Sequence, residues 1–292
     1  MLKSTLFAVS ALTVLGATAA HAIPATGLSG NTLFSFDTAT PTTATNTVGI
    51  TGLRAGESVI GIDYRPASDV LYGLTTSSAL YTINAFTGAA TLASSLNTTA
   101  GAFTVAAGEV AISFNPVPDR LRVISTTGQN LRINVDTGAT IVDTPVAFRG
   151  ATTTPPAAAD PNFGDTPALT AAAYTNQVRG AVASSVLYDI DTTNDVLVIQ
   201  NPPNNGVLNT VGSLGVGDIT SFDIDGLTNA AFAASGSSFY SVDLATGAAT
   251  LVGSFGQTGV TDFALTPVPE PMTLALLGTG LAGIVALRRR RA

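Results

Sequence analysis

The sequence predicts an all-β protein, a β-propeller of four-stranded blades, five in number, closed by pairing of its N- and C-terminal strands. Three observations predict it. A strand–turn–strand unit, clearest over residues 80–92, recurs along the chain. A second family of strands precedes it in each unit, and one unit is divided between the two ends of the chain.

The first family aligns on Asp37, Asn84, Asn134, Asp191 and Asp243, at spacings of 47, 50, 57 and 52 residues. Those spacings are blade-sized. The residue before each is Phe36, Ile83, Ile133, Ile190 or Val242, and three before stand Phe34, Tyr81, Leu131, Tyr188 and Tyr240. Polar residues such as Ser35, Thr82 and Arg132 lie between them. Alternation of period two marks a strand with one buried face. The Asn/Asp-x-x-Thr-Gly run that follows, as in Asn84–Gly88, is a hairpin turn. The Asx side chain bonds the backbone two residues on, and Gly accepts a positive φ.

The second family is residues 60–66, 110–116, 170–176, 220–226 and 261–267. Its apolar pairs are Ile62/Tyr64, Ile112/Phe114, Ala172/Tyr174, Phe222/Ile224 and Phe263/Leu265, and each copy ends in Pro, Asn or Gly, a turn signal. Small residues at Gly61, Ala111, Ala171 and Ser221 suit the crowded strand nearest the axis; Asp262 departs from them. A short strand such as 71–74 or 121–124 sits between the families, which completes four strands per unit. The inner strand of the fifth unit is residues 260–266 and its outer hairpin residues 33–48, so closing the ring joins the chain ends and protects the sheet edges.

In chain order, residues 1–22 read as a secretory signal peptide: Lys3, an apolar run from Leu6 to Leu15, then Ala20-His21-Ala22 as the cleavage site. Cleavage after Ala22 removes the single His and the single Lys. Residues 23–267 are the repeat domain and residues 268–292 a tail. There is no Cys, hence no disulfide and no thiolate metal site. Residues 23–270 hold 7 Arg against 19 Asp and Glu, a net charge of −12. That argues against nucleic acid as a partner, because phosphates need Lys and Arg for neutralisation. Arg120, Arg122 and Arg132 cluster in the second full unit and read as strand-surface partners of nearby Asp residues.

Two connectors stand out for length, 144–169 with its prolines and 201–217, which opens Asn201-Pro-Pro-Asn-Asn-Gly206. In a meander the inter-blade connectors share a face with the second-to-third strand turns such as 126–130, and long loops on a rigid scaffold are where binding usually resides. Gln129, Asn130, Asn201, Asn204 and Asn205 supply neutral donors and acceptors suited to sugar hydroxyls.

The tail opens Val268-Pro269-Glu270-Pro271, continues uncharged from Met272 to Leu287, and ends in Arg288, Arg289, Arg290 and Arg291. As a helix its apolar part spans roughly 24 Å, a little short of the ~30 Å hydrocarbon core, with arginines able to snorkel. This three-part order resembles a PEP-CTERM sorting signal. The resemblance implies a Gram-negative exported protein recognised by an exosortase at the inner membrane, anchored there transiently and then released to the cell surface or an exopolysaccharide matrix. It makes Pro269, Glu270, Pro271 and the four arginines the processing residues. The repeats also resemble a propeller-like domain family of unknown function, through Gly61-Ile-Asp-Tyr-Arg-Pro66, Leu71-Tyr-Gly-Leu74, Asp119-Arg-Leu-Arg-Val123, Thr127-Gly-Gln-Asn-Leu-Arg132 and Asn201–Gly206 with Thr210-Val-Gly-Ser-Leu214. That resemblance implies a fold and a setting, not a reaction.

Catalytic chemistry is sparse. Without His, Lys or Cys in the mature chain, His-based triads and zinc sites are excluded, and no Gly-x-x-x-x-Gly-Lys phosphate loop occurs. No cofactor is expected. The weak Ca²⁺ candidates are Asp189, Asp191 and Asp195, and Asp223 with Asp225, neither set having EF-hand spacing. The expectation is a non-catalytic exported protein that binds exopolysaccharide or a surface protein through one loop face. The alternative is a Ca²⁺- or carboxylate-dependent propeller hydrolase.

Overall fold

A computed structural model describes residues 22–153 and 156–267. Five four-stranded antiparallel meanders form a five-bladed propeller. Blade 1 runs, from the axis outward, Val260–Leu265, Pro24–Ser29, Thr32–Asp37 and Asn46–Gly49. Blade 2 is Val59–Arg65, Val70–Thr75, Ala79–Ile83 and Ala90–Ser95; blade 3 is Val110–Asn115, Arg120–Ser125, Asn130–Ile133 and Thr140–Val142. Blade 4 is Leu169–Tyr174, Leu187–Asp191, Val196–Gln200 and Val207–Ser213, extended by Ala147–Phe148, which pairs in parallel with Val207–Leu208. Blade 5 is Ser221–Ile224, Ala231–Ser235, Ser238–Val242 and Ala249–Ser254. The described helical content is one 3₁₀ turn, Pro203–Asn205.

The ring closes as the split unit requires. Ala25 pairs with Leu265 and Gly27 with Phe263, while Pro24–Ser29 pairs onward with Thr32–Asp37. Pro24–Ser29 is a strand the repeat pattern does not announce: Pro-Ala-Thr-Gly-Leu-Ser has neither β-branched alternation nor an aromatic. The chain enters and leaves together, Thr266 N donating to Pro24 O at 2.8 Å.

One repeat assignment is corrected. Asp191 ends the second strand of blade 4, not the third. The turn equivalent to Asn84, Asn134 and Asp243 begins at Asn201. Asn84 N donates to Ala89 O, Asn134 N to Ala139 O and Asp243 N to Ala248 O; Asn201 N donates to Val207 O. Leu187-Tyr-Asp-Ile-Asp191 alternates as a third strand does, which hides the difference. Residues 201–206 are therefore the third-to-fourth hairpin of blade 4 and not a connector, and the Asn201–Pro202 peptide is cis.

These hairpins also clasp the ring. The hairpins of blades 2 and 3 reach the residues just past the outer strand of the preceding blade, and that of blade 4 reaches the segment arriving from blade 3. Gly88 O accepts from Thr51 N at 2.9 Å, Gly138 O from Asn97 N at 2.9 Å and Gly206 O from Ala147 N at 2.8 Å. The approach is close enough to require glycine. A Cβ on Gly88 would meet Gly49 O at 2.1 Å and one on Gly138 would meet Ser95 O at 2.0 Å, both residues having φ +74°. The Thr-Gly repeat thus both turns the chain and locks neighbouring blades.

Five apolar clusters fill the five seams between blades. At the axis, the inner strands leave an unpaired edge whose N–H groups must find acceptors. Acidic and hydroxyl side chains of the adjoining blade supply them. Ile62 N donates to Asp262 Oδ2 (2.7 Å), Phe114 N to Asp63 Oδ2 (2.6 Å), Tyr174 N to Ser113 Oγ (3.1 Å) and Leu265 N to Asp223 Oδ2 (2.7 Å). Ala173 of blade 4 has no acceptor to offer, so Ile224 N of blade 5 donates instead to Asp223 Oδ1 of its own strand (2.8 Å), and Gln177 Nε2 donates to Ser113 Oγ, Tyr174 O and Asp223 Oδ1 nearby. The departure of Asp262 from small residues was the sequence sign of this arrangement.

Candidate functional site

The segments 126–130, 144–169 and 201–217 meet at the seam of blades 3 and 4. Thr144 N donates to Asn204 O (3.2 Å), Val146 N to Gly128 O (3.2 Å) and Ala147 N to Gly206 O (2.8 Å). Beneath this junction lies Arg122, 1% exposed. Its Nε donates to Tyr174 Oη (3.3 Å), Nη1 to Asn130 Oδ1 (2.8 Å) and Asp143 Oδ2 (2.7 Å), and Nη2 to Asn204 Oδ1 (2.8 Å). Arg132 grips both oxygens of Asp143 (2.7 and 2.8 Å). The reading of Arg122 as a strand-surface residue is corrected: it pairs with an Asp, but inside the seam. Arg120 bonds the carbonyls of Pro118 and Asp119.

Asn130 is also corrected as a ligand-face residue. It is fully buried, and its Nδ2 donates to Thr144 O (3.0 Å) and Pro203 O (2.9 Å). Gln129 is half-buried, its Oε1 accepting from Ala106 N at 2.9 Å. Asn201, Asn204 and Asn205 are exposed on the hairpin, with Asn204 Oδ1 held by Arg122. So these five residues do gather, but as a hairpin and its foundation, not as an open ring of amides.

The 149–168 insertion covers the outer edge of blade 4. Asp160, buried, accepts from Thr210 N (2.6 Å) and Thr210 Oγ1 (2.7 Å). Arg149 Nε donates to Asn209 Oδ1 and Nη1 to Ala158 O, each at 2.8 Å. Phe163 rests on Gly150, its ring 3.2 Å from where a Cβ would stand, and is 60% exposed. Sequence reasoning did not single out Phe163; a lone aromatic in a proline- and alanine-rich loop was the available signal.

The acids divide by environment. Asp189 is fully buried and both its carboxylate oxygens lack a hydrogen-bond partner. Burial pushes its carboxyl well above the usual range, against the pull of Arg122. Burial likewise raises Asp223 and Asp262 to about 7, against their backbone N–H bonds. Asp63 is raised by burial and then by the nearby Asp223. Asp191 accepts from Ala168 N and Thr193 N, and Asp225 from Thr228 N and Oγ1, as turn-forming acids do. Asp195 lies in the turn after Asp191 with φ 55°. Among the described residues no three of His, Cys, Asp and Glu gather as a metal-holding group.

Ala22 is exposed at the start of the described chain; Ala20, Pro269, Glu270, Pro271 and Arg288 to Arg291 lie outside the described residues. Among the described residues no helix is long and apolar enough to cross a membrane.

Fold and ends together define a class: a five-bladed β-propeller carrying a C-terminal export-sorting signal. Residues 267–291 match the PEP-CTERM protein-sorting motif. Residues 32–264 match the Domain of unknown function (DUF4394), and the chain belongs to that family. No curated protein matches it. A solved chain in the crystal structure of a nidogen/laminin complex is similar at 10% identity and TM-score 0.49, covering 83% of this chain and 98% of that one. The sorting motif makes the protein an exported substrate of an exosortase, membrane-anchored for sorting in a Gram-negative bacterium.

Proposed function

We propose that this protein is a non-catalytic surface or matrix component that binds polysaccharide through the outer rim of blade 4. The observation that carries the reading is the exposed ring of Phe163, whose loop is bonded to Thr210 on the outer strand of blade 4, the strand that runs on from the hairpin 201–206 fixed by the seam. An aromatic face offers a flat apolar platform for a sugar ring, and Asn201 and Asn205 offer amides to its hydroxyls. The hairpin is ordered before any ligand arrives, so less entropy is lost on binding. After sorting, the signal peptide and tail are gone and the propeller is released to the surface or matrix.

The hydrolase alternative has less to support it. The axial carboxylates Asp63, Asp223 and Asp262 are engaged by backbone N–H groups. The described residues hold no His, Lys or Cys to serve as base or nucleophile.

The test is binding of the mature protein to exopolysaccharide purified from its own host, with and without chelator. Saturable binding that weakens about tenfold, about 1.4 kcal/mol, in Phe163→Ala plus Asn205→Ala supports the rim. Binding equal in wild type and variant contradicts it. Chelator-sensitive turnover of an ester or lactone would favour the hydrolase.

A further inference from the structure

The two ends of the propeller axis expose different side chains. The inner strands begin together at one end, where Val59, Val110, Thr170, Thr220 and Val260 line one cavity. They finish at the other, where Tyr64, Ile224 and Leu265 line a smaller one. The first-to-second strand turns lie at this finishing end, and the chain leaves for its sorting tail there, after Thr266. Those turns carry exposed Val117 in blade 3, Val186 in blade 4 and Leu227 in blade 5. Phe86, in the third-to-fourth hairpin of blade 2 and 75% exposed, lines a groove of about 650 Å³ together with Thr266. The starting end differs. Among the described residues, its connectors and second-to-third strand turns carry no exposed large apolar side chain except Phe163, whose insertion lies along the outer edge of blade 4. The remaining exposed ones lie on outer strands.

Three observations say what meets this end. The first is its one-sidedness. Single exposed apolar residues are ordinary on a surface, but their gathering at one end of the ring marks a contact face. The second is reach. Thr266 is fixed, its N–H donating to Pro24 O at 2.8 Å, and the uncharged apolar stretch of the tail begins at Met272. Those six residues of chain reach at most about 22 Å, and the headgroup layer takes up roughly 6 Å of that. An anchored chain therefore holds this end of the propeller close against the bilayer. The third is charge. Three of the seven described arginines, Arg65, Arg120 and Arg179, stand at first-to-second strand turns. Arg65 pairs with Asp119 and Asp136, Arg179 with Asp69, and Arg120 bonds the carbonyls of Pro118 and Asp119. Three acids of this end are thus neutralised in an otherwise acidic domain, which lowers its repulsion from anionic lipid.

We infer that the tail-bearing end of the propeller seats on the phospholipid surface while the protein is membrane-anchored, with Phe86, Val117, Val186 and Leu227 entering the headgroup layer. Apolar side chains at the tips of rigid turns enter that layer with little ordering cost. The seat fixes the propeller's orientation and points its connector end away from the bilayer. The inference rests on the anchored state that the sorting motif defines and not on the rim of blade 4, so its failure would leave the polysaccharide reading untouched.

The chain has no Trp, so single Trp reporters test the seat directly. Protein retaining its tail is placed one copy per nanodisc of phosphatidylethanolamine and phosphatidylglycerol, with or without brominated acyl chains. The reporters are Phe86→Trp, Val117→Trp and Leu227→Trp, with Ala100→Trp, exposed on a connector, as the control for the opposite end. All four sites are exposed, and each variant should keep the wild-type Tm. The expected result is a blue-shifted emission that brominated lipid quenches at the first three positions, and an unquenched, water-like emission at the fourth. Equal quenching at all four positions, or quenching at none, would overturn the seat. So would quenching that appears only with two copies per disc, which would assign the face to a second copy, or a blue shift that appears only when exosortase is added.

Discussion

Two seams of one ring are built on opposite principles. Where blade 5 meets blade 1, the interior is a phenylalanine cluster. Phe36 meets Phe239 edge-to-face at 5.4 Å and Phe255 at 5.2 Å, and Phe239 meets Phe263 at 5.3 Å. Where blade 3 meets blade 4, the interior holds Arg122, Asn130, Asp143 and Asp189. The first seam packs Phe36 of the N-terminal hairpin against Phe239 of blade 5 and Phe255. It needs adhesion, and aromatic pairs add about 0.5–1.5 kcal/mol each beyond their buried area. The second joins blades already adjacent in sequence. It uses buried charge to hold one hairpin in one position, at a desolvation cost that the ion pair only partly offsets. The lesson is that equal blades need not share one job: one seam secures the ring and the other positions a surface.

The largest expected effects come from opening either seam. Phe239→Ala removes a fully buried ring that touches Phe36, Phe255 and Phe263. It should cost about 3–5 kcal/mol in urea unfolding. Arg122→Ala should cost a similar ~3–5 kcal/mol, for a different reason: it removes the guanidinium that Asn130, Asn204 and Tyr174 bond inside the seam and leaves buried Asp143 to Arg132 alone. The comparison sharpens if a second change is added. In Arg122→Met with Asp143→Leu much of the loss should return, whereas no second substitution at Phe36 rescues Phe239→Ala. Failure of that partial rescue would remove the distinction between the seams.

The axial acids predict a pH dependence of unusual sign. Asp223 and Asp262 have folded pKa values of about 7, above the ordinary carboxylate value. A group whose folded pKa is raised stabilises the fold fully below its unfolded pKa, and that stabilisation is lost as pH rises through the folded value. Between pH ~4 and ~7 each such group subtracts up to about 1.4 kcal/mol per pH unit. Melting at pH 5 should therefore occur above melting at pH 8. Asp262→Asn, which keeps an acceptor for Ile62 N, should flatten the profile.

A smaller effect tests the clasp. Gly138→Ala meets both a positive φ and the Ser95 carbonyl, while Gly30→Ala, at φ +55° with nothing within 4 Å, meets the backbone penalty alone. Gly30→Ala should cost about 1–2 kcal/mol and Gly138→Ala clearly more. Equal losses would mean the clasp contributes nothing beyond the turn.

Much of the ring was legible in the sequence because strand alternation and Thr-Gly turns are local signals. The division of blade 1 between termini was legible for the same reason. Pro24–Ser29 was not, since its pairing with Val260–Leu265 comes from tertiary context and not from its own composition. Asp191 misled because a second strand can carry the alternation of a third. At the candidate site, 144–169 was legible as a long proline-rich stretch and 126–130 as a turn, whereas 201–206 read as a connector and is a hairpin. The inward aim of Asn130 and the burial of Arg122 were not: a polar residue at a strand start reads the same whether it faces solvent or a seam. The axial role of Asp262 left a trace only as a departure from small residues.

The central claim is that Arg122 holds the 201–206 hairpin in place for binding. Amide hydrogen exchange at Thr144 and Ala147 tests it most directly, because these N–H groups donate to Asn204 O and Gly206 O. In wild type both should be protected. In Arg122→Met both should exchange much faster while Phe263, at the seam of blades 5 and 1, keeps its protection. Unchanged protection of Thr144 and Ala147 in that variant, or fast exchange in wild type, would contradict the account.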